Sequence, residues 1–433
     1  MLTKNKVSLL LDQYKKHFLN LEESLEKHSF LYVGGTLALA STLIFWRRPD
    51  ILIHAQFWAE DGPYWYASVY NHGWHALFYA YGGYLVFIPH FIALCSLLLP
   101  FHLAPLFFNL VAIGIQLSPL LLINSSRLRG IIPYRSTAIL ISFLYVSVLN
   151  STEVFGNLTN TGWHLGIAAF LILIAKQSKS LSWGIYDKAI LICLSLSSPL
   201  SILLTPIAAY VRWSKRSKRS KWNLILLATF SFVQIVYILF LDPTHRVGGH
   251  PQASLRYFVE MIVGQVFMGG LLGQRHVNMF YGHPLVLGLL LILGISLIIY
   301  AVRKGPSWLK LLNLYSCLIF LSMLFSLKAV RGFDVWWGLA NPGGGQRYWY
   351  IPILAWIMTL LWLAVASRFM LPRVTAVACL VLLISVGIPG GWRLTPLTNL
   401  HFQAYERHFE SLPKGTTYTI PVNPGWKMAL TKH

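Results

Sequence analysis

A succession of apolar segments, each closed by a short basic connector, constrains this chain more than any other feature. Phe30–Trp46, Leu106–Ile123, Trp222–Leu241, Leu285–Val302, Leu311–Leu327, Ile351–Ala366 and Val374–Ile388 approach or reach the length of a hydrocarbon crossing. Thr137–Leu149 and Leu165–Ala175 are shorter. Tyr84–Leu99 contains Pro89 and His90 and reads as a re-entrant or surface helix. Ala189–Val211 is interrupted by Ser197-Ser198-Pro199 and by Pro206, so it reads as two short helices meeting at the far face. Broken backbone at such depth is tolerated where it lines a cavity. With 56% hydrophobic and 11% charged residues, the chain cannot keep these segments in water. The expectation is an all-α polytopic membrane protein with about eleven transmembrane helices and external juxtamembrane helices and loops.

The net charge of +21 does not point to nucleic acid, because the basic residues sit between apolar segments. Arg127, Arg129 and Arg135, then Lys176, Lys179 and Lys188, the run 212–221, Arg303, Lys304 and Lys310, and Arg368 and Arg373 mark one side as cytoplasmic. The 212–221 run reads as a stop signal touching anionic lipid. This places the N-terminus inside and the C-terminus outside. The order is then an amphipathic segment 1–29 (Leu11, Tyr14, Phe18, Leu21, Leu25), a membrane domain 30–389 and an external tail 390–433. No cleavable leader is expected ahead of Phe30. Arg47-Arg48 breaks the charge rule, since it follows the first span on the outer side; contact with a lipid phosphate would account for it. Cys95, Cys193, Cys317 and Cys379 are far apart within apolar segments and read as core residues, not a disulfide or metal framework.

On this topology the outer face collects 47–83, 150–163, 197–199, 242–284, 328–350 and 390–433, with nine of the fourteen acids. Chemistry is therefore expected there. The first outer loop, 47–83, carries Glu60-Asp61-Gly62-Pro63 among Trp58, Tyr64, Trp65 and Tyr81. Aromatic faces cover the apolar side of a sugar ring, and a carboxylate can take a hydroxyl proton as a bond forms. Either acid could be that base, with Asp61→Asn expected to abolish activity; an interfacial aromatic belt beside a helix-start acid pair is the competing reading. Lys328, Arg331 and Arg347, near Gly343-Gly344-Gly345, are candidates for holding phosphate oxygens, against simple snorkelling. Asn157, Asn160 and Trp163 suit carbohydrate hydroxyls. The histidines of 242–284 lack metal-ligand spacing, so no metal site is expected. No cofactor is required, and a divalent cation at the acids stays open.

An acidic pair after the first span, a surface helix after it, Arg127-Leu-Arg129-Gly130 at an inner helix end, breaks at Ser198-Pro199 and Pro206, Arg347-Tyr348 late in the chain and the tail Ile420–Met428 together resemble the GT-C superfamily of membrane glycosyltransferases. Within it the chain is most similar to bacterial O-antigen glucosyltransferases that convert serotype. The resemblance implies a GT-C-like bundle in the bacterial inner membrane with its active site facing the periplasm. It further implies inverting transfer of a hexose, with glucose the expected sugar, from a polyprenyl-phosphate carrier to a cell-surface glycan such as the O-antigen of lipopolysaccharide. The base would be Asp61 or Glu60, and the phosphate-binding cations Arg331 and Arg347, with Lys328 and Arg47 as further candidates. In departure from many members of that superfamily, a large soluble C-terminal domain is not expected here. The competing classes are a lipid-linked glycan transporter or flippase, disfavoured by nearly charge-free span centres, and a polysaccharide polymerase or ligase, which would place its main loop late.

Overall fold

Eight helices in the computed structural model are long and apolar enough to cross a membrane, and the chain is a multi-pass helical membrane protein. The structure describes residues 19–20, 22–241, 253–326 and 334–433. These eight are α1 Ser29–Arg47, α3 Phe101–Ile123, α8 Lys218–Leu241, α9 Leu255–Leu272, α10 Pro284–Lys304, α11 Ser307–Phe325, α12 Gln346–Ala366 and α13 Met370–Gly391. Shorter helices lie between them: α2 Phe87–Ser96, α4 Arg135–Val146, α5 Thr161–Ile174, α6 Leu181–Ser195 and α7 Leu200–Lys215; α14 is Phe402–Ser411. The described residues also hold two two-stranded sheets, β1 Ala80–Tyr81 with β2 Tyr84–Leu85 and β3 Thr417–Val422 with β4 Trp426–Thr431, besides several helical turns.

Helices α4 and α5 have 12 and 14 residues. At about 1.5 Å per residue neither covers the ~30 Å of hydrocarbon. The missing length is made up by irregular backbone, 147–160, held inside the protein. Gln116 of α3 satisfies it, donating to the carbonyls of Val154 (3.4 Å) and Asn157 (3.5 Å) and accepting from the Gly156 amide (3.3 Å). Irregular backbone at this depth is stable only with such partners. The expected break between α6 and α7 is present, and α2 docks on it. The Phe87 amide donates to the Leu196 carbonyl (3.0 Å) and the Ile88 amide to Ser197 Oγ (2.9 Å). Gln234 of α8 joins both parts, bonding the Leu85 backbone through both ends of its amide and the Ser195 carbonyl at 2.8 Å.

The two ends of the bundle differ. At the basic end Asp187 takes two hydrogen bonds from Arg127 (2.7 and 2.9 Å) and pairs with Arg219. Glu22 accepts from the Arg135 and Ser136 amides, capping α4, and Glu26 pairs with Arg129 and Arg135. The end of segment 1–29 is therefore tied to the basic connectors. Leu11, Tyr14, Phe18 and Leu21 lie outside the described residues. Asp187 and the Arg127 side chain are almost fully buried. Asp187→Asn would leave two arginines without their counter-charge, and removing one partner of a buried pair costs about 3–5 kcal/mol. A marked fall in the melting temperature of the solubilised protein is expected.

The opposite end gathers the described parts of the segments assigned above to the outer face. Part of the expected loop 242–284 departs from that reading, because residues 255–272 form α9. Phe258 packs on Phe320 and Trp336 at one end of this helix, and Gly387 and Gly391 lie beside its other end. These neighbours all sit at the same end of the bundle, so α9 lies across that end. Its polar side chains are used internally: Gln265 donates to the carbonyls of Leu339, Ala340 and Asn341 and accepts from Asn150. The tail 390–433 is also structured. Phe402 and Phe409 of α14 and Ile420, Val422, Met428 and Leu430 of the β3–β4 hairpin form a second core with Phe57, Trp65, Tyr66 and Phe108. Burial of these large side chains, at ~25 cal/mol per Å² of apolar surface, fixes the tail over the first outer loop.

Candidate functional site

The hairpin sets the geometry of the acidic pair. Trp58 bridges to Asn423, and the Ala59 amide donates to the Asn423 carbonyl at 2.5 Å. Ala59 is held at φ 45°, a left-handed value that costs an L-residue about 1–2 kcal/mol. A tight turn, Ala59–Asp61, follows and sends the neighbouring carboxylates in different directions. Gly62 is needed next, because a Cβ there would meet Val422 Cγ2 at 2.9 Å.

Asp61 turns inward. It is 1% exposed and accepts from the Leu158 amide (3.2 Å), the Thr159 amide (2.9 Å) and the Thr159 hydroxyl (2.7 Å). Burial pushes its carboxyl up to about 7, against the pull of these three donors. Asp61 therefore clamps the first outer loop to the 147–160 segment. Glu60 turns the other way, onto a cavity of about 390 Å³. One of its oxygens accepts from the Tyr81 hydroxyl (3.3 Å), while Oε2 has no hydrogen-bond partner.

The cavity is amphiphilic. Glu60, Tyr81, Asn160, Ser197, Ser198 and Arg347 supply polar groups, and Leu203, Ile238, Ile319 and Met323 of α7, α8 and α11 form an apolar flank. Trp65, Trp163 and Tyr348 add aromatic walls. Trp65 is fixed by its Nε1 donating to Thr159 Oγ1 (2.9 Å) and by its ring edge-on to Tyr81 (centroids 5.1 Å apart). Trp163 stands edge-on to Tyr348 at 5.5 Å. Arg347, in the first turn of α12, lies 3.9 Å from Glu153 Oε2. Burial raises the Glu153 carboxyl pKa; the Arg347 charge pulls it down and the Glu60 charge pushes it further up. Two carboxylates and one guanidinium thus share this corner. Among the described residues, no group of three or more His, Cys, Asp and Glu side chains is placed to hold a metal ion.

Of the residues singled out in the sequence, Glu60, Trp65, Tyr81, Asn160, Trp163 and Arg347 line one cavity. Asp61, Trp58, Tyr64 and Asn157 support it from outside. Tyr64 packs on Tyr81 (4.2 Å) and Trp426 (5.8 Å). Asn157 bonds the Glu153 carbonyl (2.7 Å) and accepts from Asn160. Arg47 does not reach the cavity. Its guanidinium donates to the carbonyls of Val146 (2.6 Å), the last residue of α4, and Val148 (3.0 Å) just beyond it, and lies over the Phe155 and Trp392 rings. Backbone carbonyls, not a lipid phosphate, account for this arginine against the charge rule. Lys328 and Arg331 lie outside the described residues. Sequence reasoning passed over Glu153; its only signal was an isolated acid in an outer segment read for its amides.

No family model matches the chain, and neither a curated protein nor a solved structure does.

These contacts separate the two acids experimentally. Asp61→Asn would turn an amide N–H toward the Leu158 N–H, and leaving such buried donors opposed costs about 1–3 kcal/mol. Asp61 carries a raised pKa when folded, so its contribution is fully present below the unfolded value and is lost as pH rises through about 7. Asp61→Asn is expected to lower thermal stability and to flatten its fall between about pH 4 and 7. Melting curves across that range test this.

Proposed function

We propose that this protein is a GT-C-like inverting glycosyltransferase. It moves a hexose from a polyprenyl-phosphate carrier to a glycan acceptor at the periplasmic face of a bacterial inner membrane. The observation that carries the proposal is an amphiphilic cavity lined by both Glu60, whose carboxylate has one buried oxygen without a hydrogen-bond partner, and Arg347. A lipid-linked sugar has the same division: an apolar chain for the Leu203–Ile238–Ile319–Met323 flank, a phosphate for Arg347, and a pyranose for the aromatic walls.

In this reading the acceptor hydroxyl lies at Glu60. Its oxygen bonds to the anomeric carbon from the face opposite the phosphate as the Glu60 carboxylate takes the hydroxyl proton. The carbon–oxygen bond to phosphate breaks, and Arg347 stabilises the charge left on the departing polyprenyl phosphate. A base in this role contributes about 10²–10⁴ in rate. Tyr81 orients the Glu60 carboxylate, and Asn160 and the Ser197–Ser198 hydroxyls offer hydrogen bonds to the sugar.

The test uses purified protein in nanodiscs with polyprenyl-phosphate hexoses and a lipopolysaccharide acceptor, following release of polyprenyl phosphate. Acceptor-dependent release is expected. Movement of intact lipid-linked sugar across the bilayer without release would identify a flippase instead.

A further inference from the structure

Two adjoining cavities at the basic end play no part in the chemistry above. The larger, about 500 Å³, opens between α6 and the start of α8; the smaller, about 270 Å³, lies against α5 and α7. They share Gln177, Arg219 and Asn223. Lys188 and Lys218 also line the larger one, and both are exposed.

The charge balance at this place is uneven. Asp187 is the one acid lining either cavity, and it is shared by two arginines: Arg127 holds both of its oxygens and Arg219 pairs with one of them. Lys215, on the smaller cavity, is spent on the Leu173 and Ile174 carbonyls at the end of α5. Lys188 and Lys218 make no ion pair with an acid among the described residues. Further along α8 the same cavity is walled by Trp222, which is 59% exposed, and by Leu226. Cations therefore cluster at the rim of the bundle, with an indole and an aliphatic side chain one turn deeper. That order matches a phospholipid: a negatively charged head, then the glycerol, then the first acyl carbons.

We infer that the groove between α6 and α8 is a binding site for one anionic phospholipid, its phosphate held by Lys188, Lys218 and Arg219 and its upper acyl chain by Trp222 and Leu226. Basic pockets between membrane helices are where such headgroups bind specifically. The site lies far along the bundle from Glu60 and stands independently of the glycosyl-transfer reading. Bound lipid would brace the α6–α8 corner, where Asp187 already joins Arg127 to Arg219.

Native mass spectrometry of the full chain, released from nanodiscs of mixed phosphatidylglycerol and phosphatidylcholine, tests the assignment. Wild type is expected to retain one phosphatidylglycerol, and added phosphatidylglycerol is expected to raise its melting temperature. Lys188→Gln/Lys218→Gln should lose both effects while melting at the wild-type temperature in phosphatidylcholine alone, since both side chains are exposed. Millimolar pyrophosphate should not displace the lipid. Equal retention of phosphatidylglycerol by the double variant would overturn the site. Displacement by pyrophosphate would also overturn it, by showing a site for free phosphate groups in place of a lipid.

Discussion

Glu60→Gln is expected to reduce hexosyl transfer by about 10²–10⁴-fold while the protein folds normally, the range a positioned general base contributes. Glutamine keeps the shape and can still accept from the Tyr81 hydroxyl, so the cavity wall is preserved. The lost function is the basicity of the carboxylate, which in this reading takes the acceptor proton. The loss should fall on kcat, because the base acts as the bond forms. Asp61→Asn provides the contrast, since its main expected effect is on stability. Steady-state rates and melting temperatures of the two variants, measured together, separate these roles. Near-wild-type kcat in Glu60→Gln would remove Glu60 as the base.

Arg347→Ala is the second large effect expected. The guanidinium lies at the cavity, 3.9 Å from Glu153 and over the Tyr348 ring at 5.3 Å. A hydrogen bond to a charged group contributes about 1.5–3 kcal/mol, so use of the donor should weaken by roughly 10–100-fold. Arg347→Lys should recover part of this, because it keeps the charge but loses the two-pronged fork that fits a phosphate. The readout is kcat/KM against the concentration of polyprenyl-phosphate hexose. Unchanged donor dependence in both variants would reassign Arg347 to an ion pair with Glu153.

The membrane-spanning character and the broken α6–α7 element were legible because hydrophobic length and proline placement are local properties. The acidic pair was also visible, as were the aromatic residues beside it. Which of the two acids faces the cavity was not. That depends on the left-handed Ala59 and on the hairpin from the far end of the chain, which grips Trp58 and Ala59. Arg47 was misleading for a related reason: the charge rule counts side chains near lipid, whereas this one caps carbonyls of a helix about a hundred residues away. Helix α9 was hidden because Glu260 and Gln265 interrupt its apolar pattern. Their surroundings, Arg256 for the first and a row of carbonyls for the second, come from local pairing and from packing. Glu153 went unnoticed since only folding brings it to Arg347.

The central claim, that a lipid-linked sugar occupies the cavity at Glu60, is most directly tested by photo-crosslinking. A polyprenyl-phosphate glucose analogue with a diazirine near the start of its lipid would be irradiated with the protein in nanodiscs and the labelled peptides sequenced. Labels on Leu203, Ile238, Ile319 or Met323, competed away by unmodified donor, are the predicted result. Competed labelling confined to peptides remote from this cavity would contradict it.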